Sequence, residues 1–480
     1  MSRFNPPAVG TKTTNLAGGV AYWQAPELEL ASLLLTSMVK DEAYRTDAQA
    51  LARLRELVAR CDKKFVAQAA VYTRHEYGMR SITHAVASEL ARYIGGTDWA
   101  RHFYHAVVRR ADDITEILAY HAAVNGKLPN AMKRGLAQAF GKFSPYQLAK
   151  YRGEGKGFKL VDAANLLHPK PTETNGEALA QLMRGQLKSF DTWENQLSAA
   201  GQQAGSEDEK QAFKKEVWVE LVRSGKLGYF ALLRNLRNIL EQAPEVLGEA
   251  LRLLTDDRLI KKSLVLPFRF ITAFDEIQKT NQGADTRAVL MALNRAVDSS
   301  LQNVPKFAGR TLVVLDVSGS MQGQPAIIGS LFAAVLVKSN NADLMTFSND
   351  AQYVNVNPMD STITIANSIR FAAGGTNFAA IFARAAHQYD RVVLLSDMQG
   401  WLVPNGYQSS SPIPTYNGYC TATGANPFIY SFDLKGYGSM QFPSERVMCV
   451  AGFSEKVLTL LPLLEQDRNA LVNTIKQVVF

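Results

Sequence analysis

Thr311-Leu312-Val313-Val314-Leu315-Asp316-Val317-Ser318-Gly319-Ser320-Met321 is the stretch on which the fold turns. A short apolar run fits a buried strand, and it delivers an Asp-x-Ser-x-Ser loop at its carboxyl end, the edge where open α/β sheets place their ligands. Two hydroxyls with a carboxylate behind them suit a hard divalent cation such as Mg2+, which takes oxygen ligands octahedrally and keeps several waters. Downstream, Gly374-Gly375-Thr376 offers a third hydroxyl on a loop, and the apolar run Val392-Val393-Leu394-Leu395-Ser396 ends at Asp397. A lone Asp-x-Ser-x-Ser is equally a helix cap. The matched Thr376 and Asp397 favour a metal-competent site made of Asp316, Ser318, Ser320, Thr376 and Asp397. No His, Glu or Lys lies near the loop in sequence to act as general base, and the phosphate-cradling G-x-x-x-x-G-K-[ST] pattern is missing, so binding is expected there rather than catalysis.

Working outward, strand and helix signals alternate from about residue 305. Strand 311–316 leads to an apolar helix from Pro325 to about Lys338. Strand 342–347, helices near 362–371 and 377–388, and strand 391–396 follow. Strands near 427–432 and 446–451 and a helix or two from Ser454 complete a doubly wound parallel sheet. Residues 401–424, rich in Gly, Ser, Asn, Pro and Tyr, read as a long loop, either a lid or a surface insertion. The five-residue pattern resembles the metal-ion-dependent adhesion site of von Willebrand factor A domains. That resemblance implies that Ser318, Ser320 and Thr376 touch the metal, that Asp316 and Asp397 act mainly through water, and that a sixth position takes a partner's carboxylate.

Upstream the period changes. Leu30, Leu33, Leu34 and Met38 recur at helical steps, as do Phe103, Val107, Ala111, Ile114 and Leu118. Breakers at Gly95-Gly96, Gly126 to Pro129, Gly153 to Gly157, Pro169, Gly201 to Gly205, Pro244, Pro267 and Gly283 divide the region into helical hairpins. None is large enough to bury its own apolar face, so they are expected to stack as an irregular HEAT-like solenoid. The organisation expected is an arm over 1–26, helical repeats over 27–305 and the α/β domain over 306–480. A hydrophobic fraction of 47% with 20% charged residues is globular. No run of eighteen apolar residues occurs, and the three cysteines are scattered, so neither a membrane span nor a disulfide framework is expected, and a reducing cytoplasm fits. Residues 311–480 hold 9 Lys+Arg against 11 Asp+Glu, whereas residues 1–310 hold 43 against 33. The basic excess therefore belongs to the helical part, which points to a polyanionic partner.

Within that part Lys133, Arg134, Lys142, Lys150, Arg152, Lys156, Lys159 and Lys170 cluster, with Tyr146, Tyr151 and Phe158 interleaved and His168 near the end. Cations neutralise phosphates and aromatic faces stack on unpaired bases, a mixture suited to RNA; a solvated helix face is the plain alternative. The phrases Arg74-His75-Glu76-Tyr77-Gly78-Met79-Arg80-Ser81, Arg110-Ala111-Asp112-Asp113-Ile114, Leu128-Pro129-Asn130, Lys150-Tyr151-Arg152, Leu167-His168-Pro169-Lys170-Pro171, Leu232-Leu233-Arg234-Asn235-Leu236-Arg237-Asn238 and Leu266-Pro267-Phe268-Arg269-Phe270 precede the Asp316 loop in order. Together they resemble the Ro ribonucleoprotein autoantigen family, in its compact bacterial form, whose TROVE module joins a HEAT-type helical ring to a von Willebrand A domain.

The resemblance implies a non-catalytic RNA-binding protein. Single-stranded 3′ ends of misfolded or aberrant non-coding RNAs pass through the ring, and Y RNAs bind its outer surface. Lys150, Arg152 and His168 match the family's basic segment, with Lys133, Arg134, Lys156 and Lys170 nearby. It also implies a role in RNA quality control and stress survival beside an exoribonuclease such as polynucleotide phosphorylase. Because a ring closed within one chain needs no copies, a monomer is expected. A metal-dependent protein-binding adaptor is the second reading, and an RNA-processing enzyme the weakest, since a serine-rich shell lacks the paired carboxylates of two-metal cleavage. His102 and His105 sit at i and i+3 without a third ligand and read as ordinary histidines. Asp112 and Asp113 read as a helix cap or as partners of Arg109 or Arg110, while Arg80, Arg234, Arg237 and Arg269 either line a channel or staple neighbouring hairpins.

Overall fold

Short apolar stripes bounded by caps and breakers give short helices. Pro26–Thr36, Asp47–Arg60, Lys63–Glu76, Ser81–Leu90, Ala100–Val107, Ala111–Val124, Asn130–Ala139, Pro145–Lys150, Leu160–Leu167 and Gly176–Met183 follow one another through the first third of the chain. The computed structural model describes residues 12–14, 20–22, 26–36, 47–153, 157–188, 197, 206–225, 227–280, 283–371, 374–400, 412–434, 441–442, 447–451, 458, 461–466 and 470–480. Residue contacts divide the chain into two units: 1–16, 21–190 and 432–480 form one, and 17–20 with 191–431 the other.

In the first unit, Leu54, Leu57, Phe65, Val86, Leu90, Phe103, Ile114 and Ile117 are buried. Asp62 caps helix Lys63–Glu76 by accepting from Phe65 N at 2.8 Å, a contact worth about 1 kcal/mol. The helix Ala470–Lys476 returns to these repeats. Gln68 Nε2 donates to the carbonyls of Lys476 and Val478 at 2.7 and 3.0 Å, Lys476 pairs with Glu27 at 2.9 Å, and the Phe480 ring meets Trp99 and Phe103 with centroids 5.9 Å away. The stripe from Phe103 to Leu118 is not one helix: Ala100–Val107 and Ala111–Val124 are separated by extended backbone at Val108. The break is set by Asp113, whose Oδ2 accepts from the backbone N–H of Arg109 and of Arg110 at 2.9 Å each. Met38 lies outside the described residues.

The second unit opens with helices Glu207–Arg223, Tyr229–Gln242, Leu247–Leu254, Asp257–Ser263, Phe270–Gln278 and Ala284–Ser300, packed around Trp218, Leu236, Ile239, Phe270 and Leu293. A parallel-centred sheet follows. Numbering strands after Lys12–Thr14 (β1) and Val20–Tyr22 (β2), it contains β3 (Thr311–Asp316), β4 (Asp343–Phe347), β5 (Ala351–Val354), β6 (Arg391–Ser396) and β7 (Phe428–Asp433), in the order β5-β4-β3-β6-β7. β3 runs parallel to both β4 and β6, with Leu312 opposite Asp343 and Val392. Every residue of β3 and β6 is buried, as expected for strands covered on both faces. The sheet is mixed rather than purely parallel, because β5 pairs antiparallel with β4 and forms an edge. Helices Gln324–Asn340, Thr362–Ser368 and Phe378–Arg384 match the expected positions, the last two shorter than read. Residues 412–423 of the expected loop are helical instead. Tyr416 and Tyr419 pack on Phe382 with centroids 5.0 and 5.4 Å away, and this packing overrides the low helix propensity of Pro414, Asn417 and Gly418. Residues 401–411 lie outside the described ones.

Candidate RNA and cation sites

At the carboxyl end of β3, Asp316 is fully buried. Its Oδ1 accepts from Ser318 N at 2.9 Å and its Oδ2 from Ser396 Oγ at 2.6 Å. Ser318 and Ser320 bring their hydroxyls within 3.2 Å of each other. Gly319 N donates to the Gly374 carbonyl at 3.2 Å, which holds the loop carrying Thr376 against the serine loop. Asp397, also buried, leaves the end of β6 and accepts from Gln399 N at 3.2 Å, while Met398 N donates to Ser396 Oγ at 3.0 Å. Met398 adopts φ 56°, a left-handed conformation costly for a non-glycine residue and typical of functional turns.

The electrostatics suit a proton or a cation. Burial first, and then the charge of Asp397, push the Asp316 carboxyl up to about 7, against the pull of hydrogen bonds from Ser318 and Ser396. Two buried carboxylates close enough to repel are stable together only with a proton or a cation between them. Thr376 Oγ1 is buried with no hydrogen-bond partner among the described residues. A buried hydroxyl left unpaired costs about 1–3 kcal/mol, which a bound cation would offset. The donor set of hydroxyls and carboxylates fits a hard divalent ion. All five residues read from the sequence thus converge on one end of the sheet. Ser396 was missed, because a Ser closing a strand carries no motif.

The basic residues sit in the first unit. Lys133 and Arg134 lie on helix Asn130–Ala139, half-buried and exposed respectively. Lys150 ends helix Pro145–Lys150 with its amine 5.8 Å from the Tyr146 ring centroid, and Tyr146 is 40% exposed. Arg110 covers the Tyr151 ring at 4.4 Å. Arg152 is turned inward, donating through Nη1 to the Leu187 carbonyl. His168 is exposed at the left-handed C-cap of helix Leu160–Leu167, φ 51°, and Lys170 is exposed beyond it. Lys156 lies outside the described residues. Lys133, Arg134, His168 and Lys170 have no carboxylate partner among the described residues, so their charge is available to an anion.

The acidic pair resolves as a structural lock. Asp113 accepts from Arg74 Nε and Nη2 and from His84 Nε2 at 2.8–3.0 Å, and Asp112 pairs with Arg80 at 2.6 Å and Arg110 at 2.9 Å. Burial pushes the Asp113 carboxyl up, but the His84 hydrogen bond and the Arg74 charge outweigh it and hold the group far below the usual carboxylate range. Arg80 is therefore a staple, as is Arg237, which bridges to Glu276 on helix Phe270–Gln278 at 3.0 Å. Arg234 is exposed. No group of three or more His, Cys, Asp or Glu gathers as a metal cluster among the described residues, and His102 and His105 have no third ligand there.

A family model for the TROVE domain matches residues 28–203 and 181–318. The chain belongs to the TROVE family. TROVE proteins are RNA-binding ribonucleoprotein components, which agrees with a basic excess confined to the first 310 residues. The crystal structure of the Deinococcus radiodurans Ro (RSR) protein superposes with a TM-score of 0.66, covering 95% of this chain and 100% of that one at 19% identity, so this TROVE chain has the Ro fold. Telomerase protein component 1 of Mus musculus is 23% identical over 350 residues, and that of Rattus norvegicus 22%. Each match covers 53% of this chain and only 13% of the relative's length. Among the described residues no helix is long and apolar enough to cross a membrane.

Proposed function

We propose that this TROVE protein captures single-stranded 3′ ends of misfolded or aberrant structured non-coding RNAs in a ring of helical repeats and binds Y-like small RNAs on its outer surface. It acts as a non-catalytic, cytoplasmic monomer that sorts RNA for maturation or decay by an exoribonuclease. The observation that carries the reading is the set of uncommitted cations Lys133, Arg134, His168 and Lys170 within the TROVE segment, next to the exposed Tyr146 ring. Lys and Arg give salt-sensitive, sequence-tolerant affinity, and an exposed aromatic face adds about 1–3 kcal/mol per stacked base.

In the same proposal Ser318, Ser320 and Thr376 hold Mg2+ through their hydroxyls, and Asp316 and Asp397 supply the compensating charge. When bound, the ion supplies a Lewis-acidic position for a partner's carboxylate. Ser396 and the Gly319–Gly374 hydrogen bond keep the loops together. The buried Thr376 hydroxyl, unpartnered among the described residues, favours a second role beside RNA binding, docking of an acidic protein partner.

The test is binding of one structured RNA with and without a single-stranded 3′ tail of about ten nucleotides across a salt series. Tail-dependent, salt-sensitive binding that Lys150→Ala with His168→Asn weakens is the expected result. Asn is chosen because it tolerates the left-handed backbone at position 168, which Ala does not. Tail-independent binding would overturn end capture.

A further inference from the structure

β5 closes one side of the sheet, and among the described residues no strand pairs with its other side. Its ladder to β4 sets Thr346 opposite Gln352 and Met345 opposite Tyr353. Ser348 N donates to the Asp350 carbonyl at 2.9 Å, so by alternation the residues that bond across the hairpin are Asp350, Gln352 and Val354. The N–H and C=O groups of Ala351, Tyr353 and Asn355 therefore point away from β4, toward the open side. The Ala351 N–H is taken by the Asp350 carboxylate at 2.8 Å, and those of Tyr353 and Asn355 are left for another strand. Sheets commonly blunt such an edge with Lys, Pro or a bulge. From Ala351 to Asn357 there is no Lys, Arg, Gly or Pro. The Tyr353 ring is 38% exposed and fixed through its hydroxyl, which lies 3.0 Å from that of Tyr389 and accepts from Ala386 N at 3.1 Å. A rigid, half-open aromatic ring suits a β-branched side chain on a neighbouring strand.

The same hairpin is tied to the cation site. On either side of Thr376, Gly375 N donates to Asn349 Oδ1 at 2.8 Å and Asn377 N to the Ser348 carbonyl at 2.8 Å. Asn377 Nδ2 also donates to the Asn349 carbonyl at 3.1 Å, and Val317 N to the Phe347 carbonyl at 2.9 Å. Because β4 runs parallel to β3 and β5 antiparallel to β4, β5 begins at the end of the sheet that carries Asp316, Ser318 and Thr376. A strand added antiparallel to β5 finishes at that end. From there to the end of β3 is three strand spacings, about 14 Å, or about four to six extended residues.

We propose that β5 is a docking edge for an extended segment of an acidic protein partner, which adds antiparallel to it and carries its Asp or Glu about four to six residues C-terminal to the paired stretch. The inference deepens the cation-site reading above and rests on it. The paired stretch supplies main-chain hydrogen bonds and β-branched residues that cover Tyr353, while the carboxylate takes the position open on the ion held by Ser318, Ser320 and Thr376. Polarity and spacing make the recognised motif directional: the same residues in reverse order place only one of the two parts at a time.

The experiment is isothermal titration of the full chain, in Mg2+ and in EDTA, with the acetylated and amidated peptide Thr-Val-Thr-Val-Thr-Gly-Ser-Gly-Ser-Glu. Its comparison peptides carry Gln for Glu, the reverse residue order, or N-methyl groups at alternate residues of the paired stretch, one peptide for each phase. Asn355→Pro removes an outward N–H where an edge strand tolerates proline, and it changes none of the cation-site residues. Binding should require Mg2+, the Glu and the forward order, and should be lost in one N-methyl phase and kept in the other, a readout on wild-type protein alone. Asn355→Pro should weaken it about three- to tenfold, the worth of one backbone hydrogen bond, with Mg2+ affinity unchanged. Binding that persists in EDTA, equal binding of both N-methyl phases, equal binding of the reversed peptide, or Mg2+ binding with no peptide binding overturns the docking edge and leaves the cation site standing. Absence of Mg2+ binding by the wild type refutes both.

Discussion

Replacing Thr376 by Val separates a cation site from a cluster of buried polar groups, because the two readings predict opposite signs. The Thr376 side chain is buried and its hydroxyl has no hydrogen-bond partner among the described residues. Valine keeps the shape and removes the unsatisfied oxygen, so without metal the variant should gain about 1–2 kcal/mol, the lower part of the cost of an unpaired buried hydroxyl. For a unit of this size that raises the unfolding midpoint by about 2–6 °C. With Mg2+ at a hundredfold excess over its Kd the wild type gains about 2.7 kcal/mol, which the variant forfeits as a ligand is lost. The order of stability therefore inverts between EDTA and Mg2+. Thermal unfolding of both proteins in each buffer, with isothermal titration of Mg2+, reads this directly. A variant less stable than wild type in EDTA, or one that keeps the full Mg2+ shift, would show that Thr376 does not face a cation.

Asp113→Asn should cost about 3–5 kcal/mol at pH 7 in urea unfolding, because Arg74 is left buried without its counter-charge. The pH dependence has a definite sign. The folded Asp113 carboxyl is held below its unfolded value, so its stabilisation is complete above about pH 4 and is lost as the pH falls toward the folded pKa; the Asn variant should show a shallower loss of stability between about pH 4 and pH 2. Gly135→Ala should destabilise by about 1–3 kcal/mol through the clash with Tyr104 and the Arg101 carbonyl, measurable as a lowered urea midpoint with unchanged slope.

What could be read from the sequence follows from where burial is continuous. β3 and β6 are apolar along their whole length because both faces are covered, so they stand out as runs, and the motif residues sit at their ends. The edge strand β5 carried no such signal. Its Gln352 and Tyr353 are exposed, and it is a strand because β4 offers hydrogen bonds to it, which no local pattern encodes. The helix at 412–423 was hidden for the complementary reason: its own residues favour turns, and two tyrosines packed on Phe382 decide the matter. In the stripe from Phe103 to Leu118 the apolar spacing was read correctly and the backbone wrongly, since Val108 keeps the pattern while Asp113 takes the two N–H groups that a continuous helix would have used.

The basic residues show the same division between local and non-local information. Lys133 to Lys170 is dense in sequence and was visible as a cluster. Arg101 and Arg109 stand outside that cluster, and nothing in their neighbourhoods marks them. What sets them apart is the chemistry of their partners. Arg80 and Arg110, equally basic in sequence, share Asp112 and hold helices together, whereas Arg101 and Arg109 rest on an amide and a carbonyl. A carboxylate partner cancels charge and makes an arginine a staple; a neutral partner orients the side chain without cancelling its charge. Which acceptor each guanidinium finds is a property of packing that composition and motif do not contain.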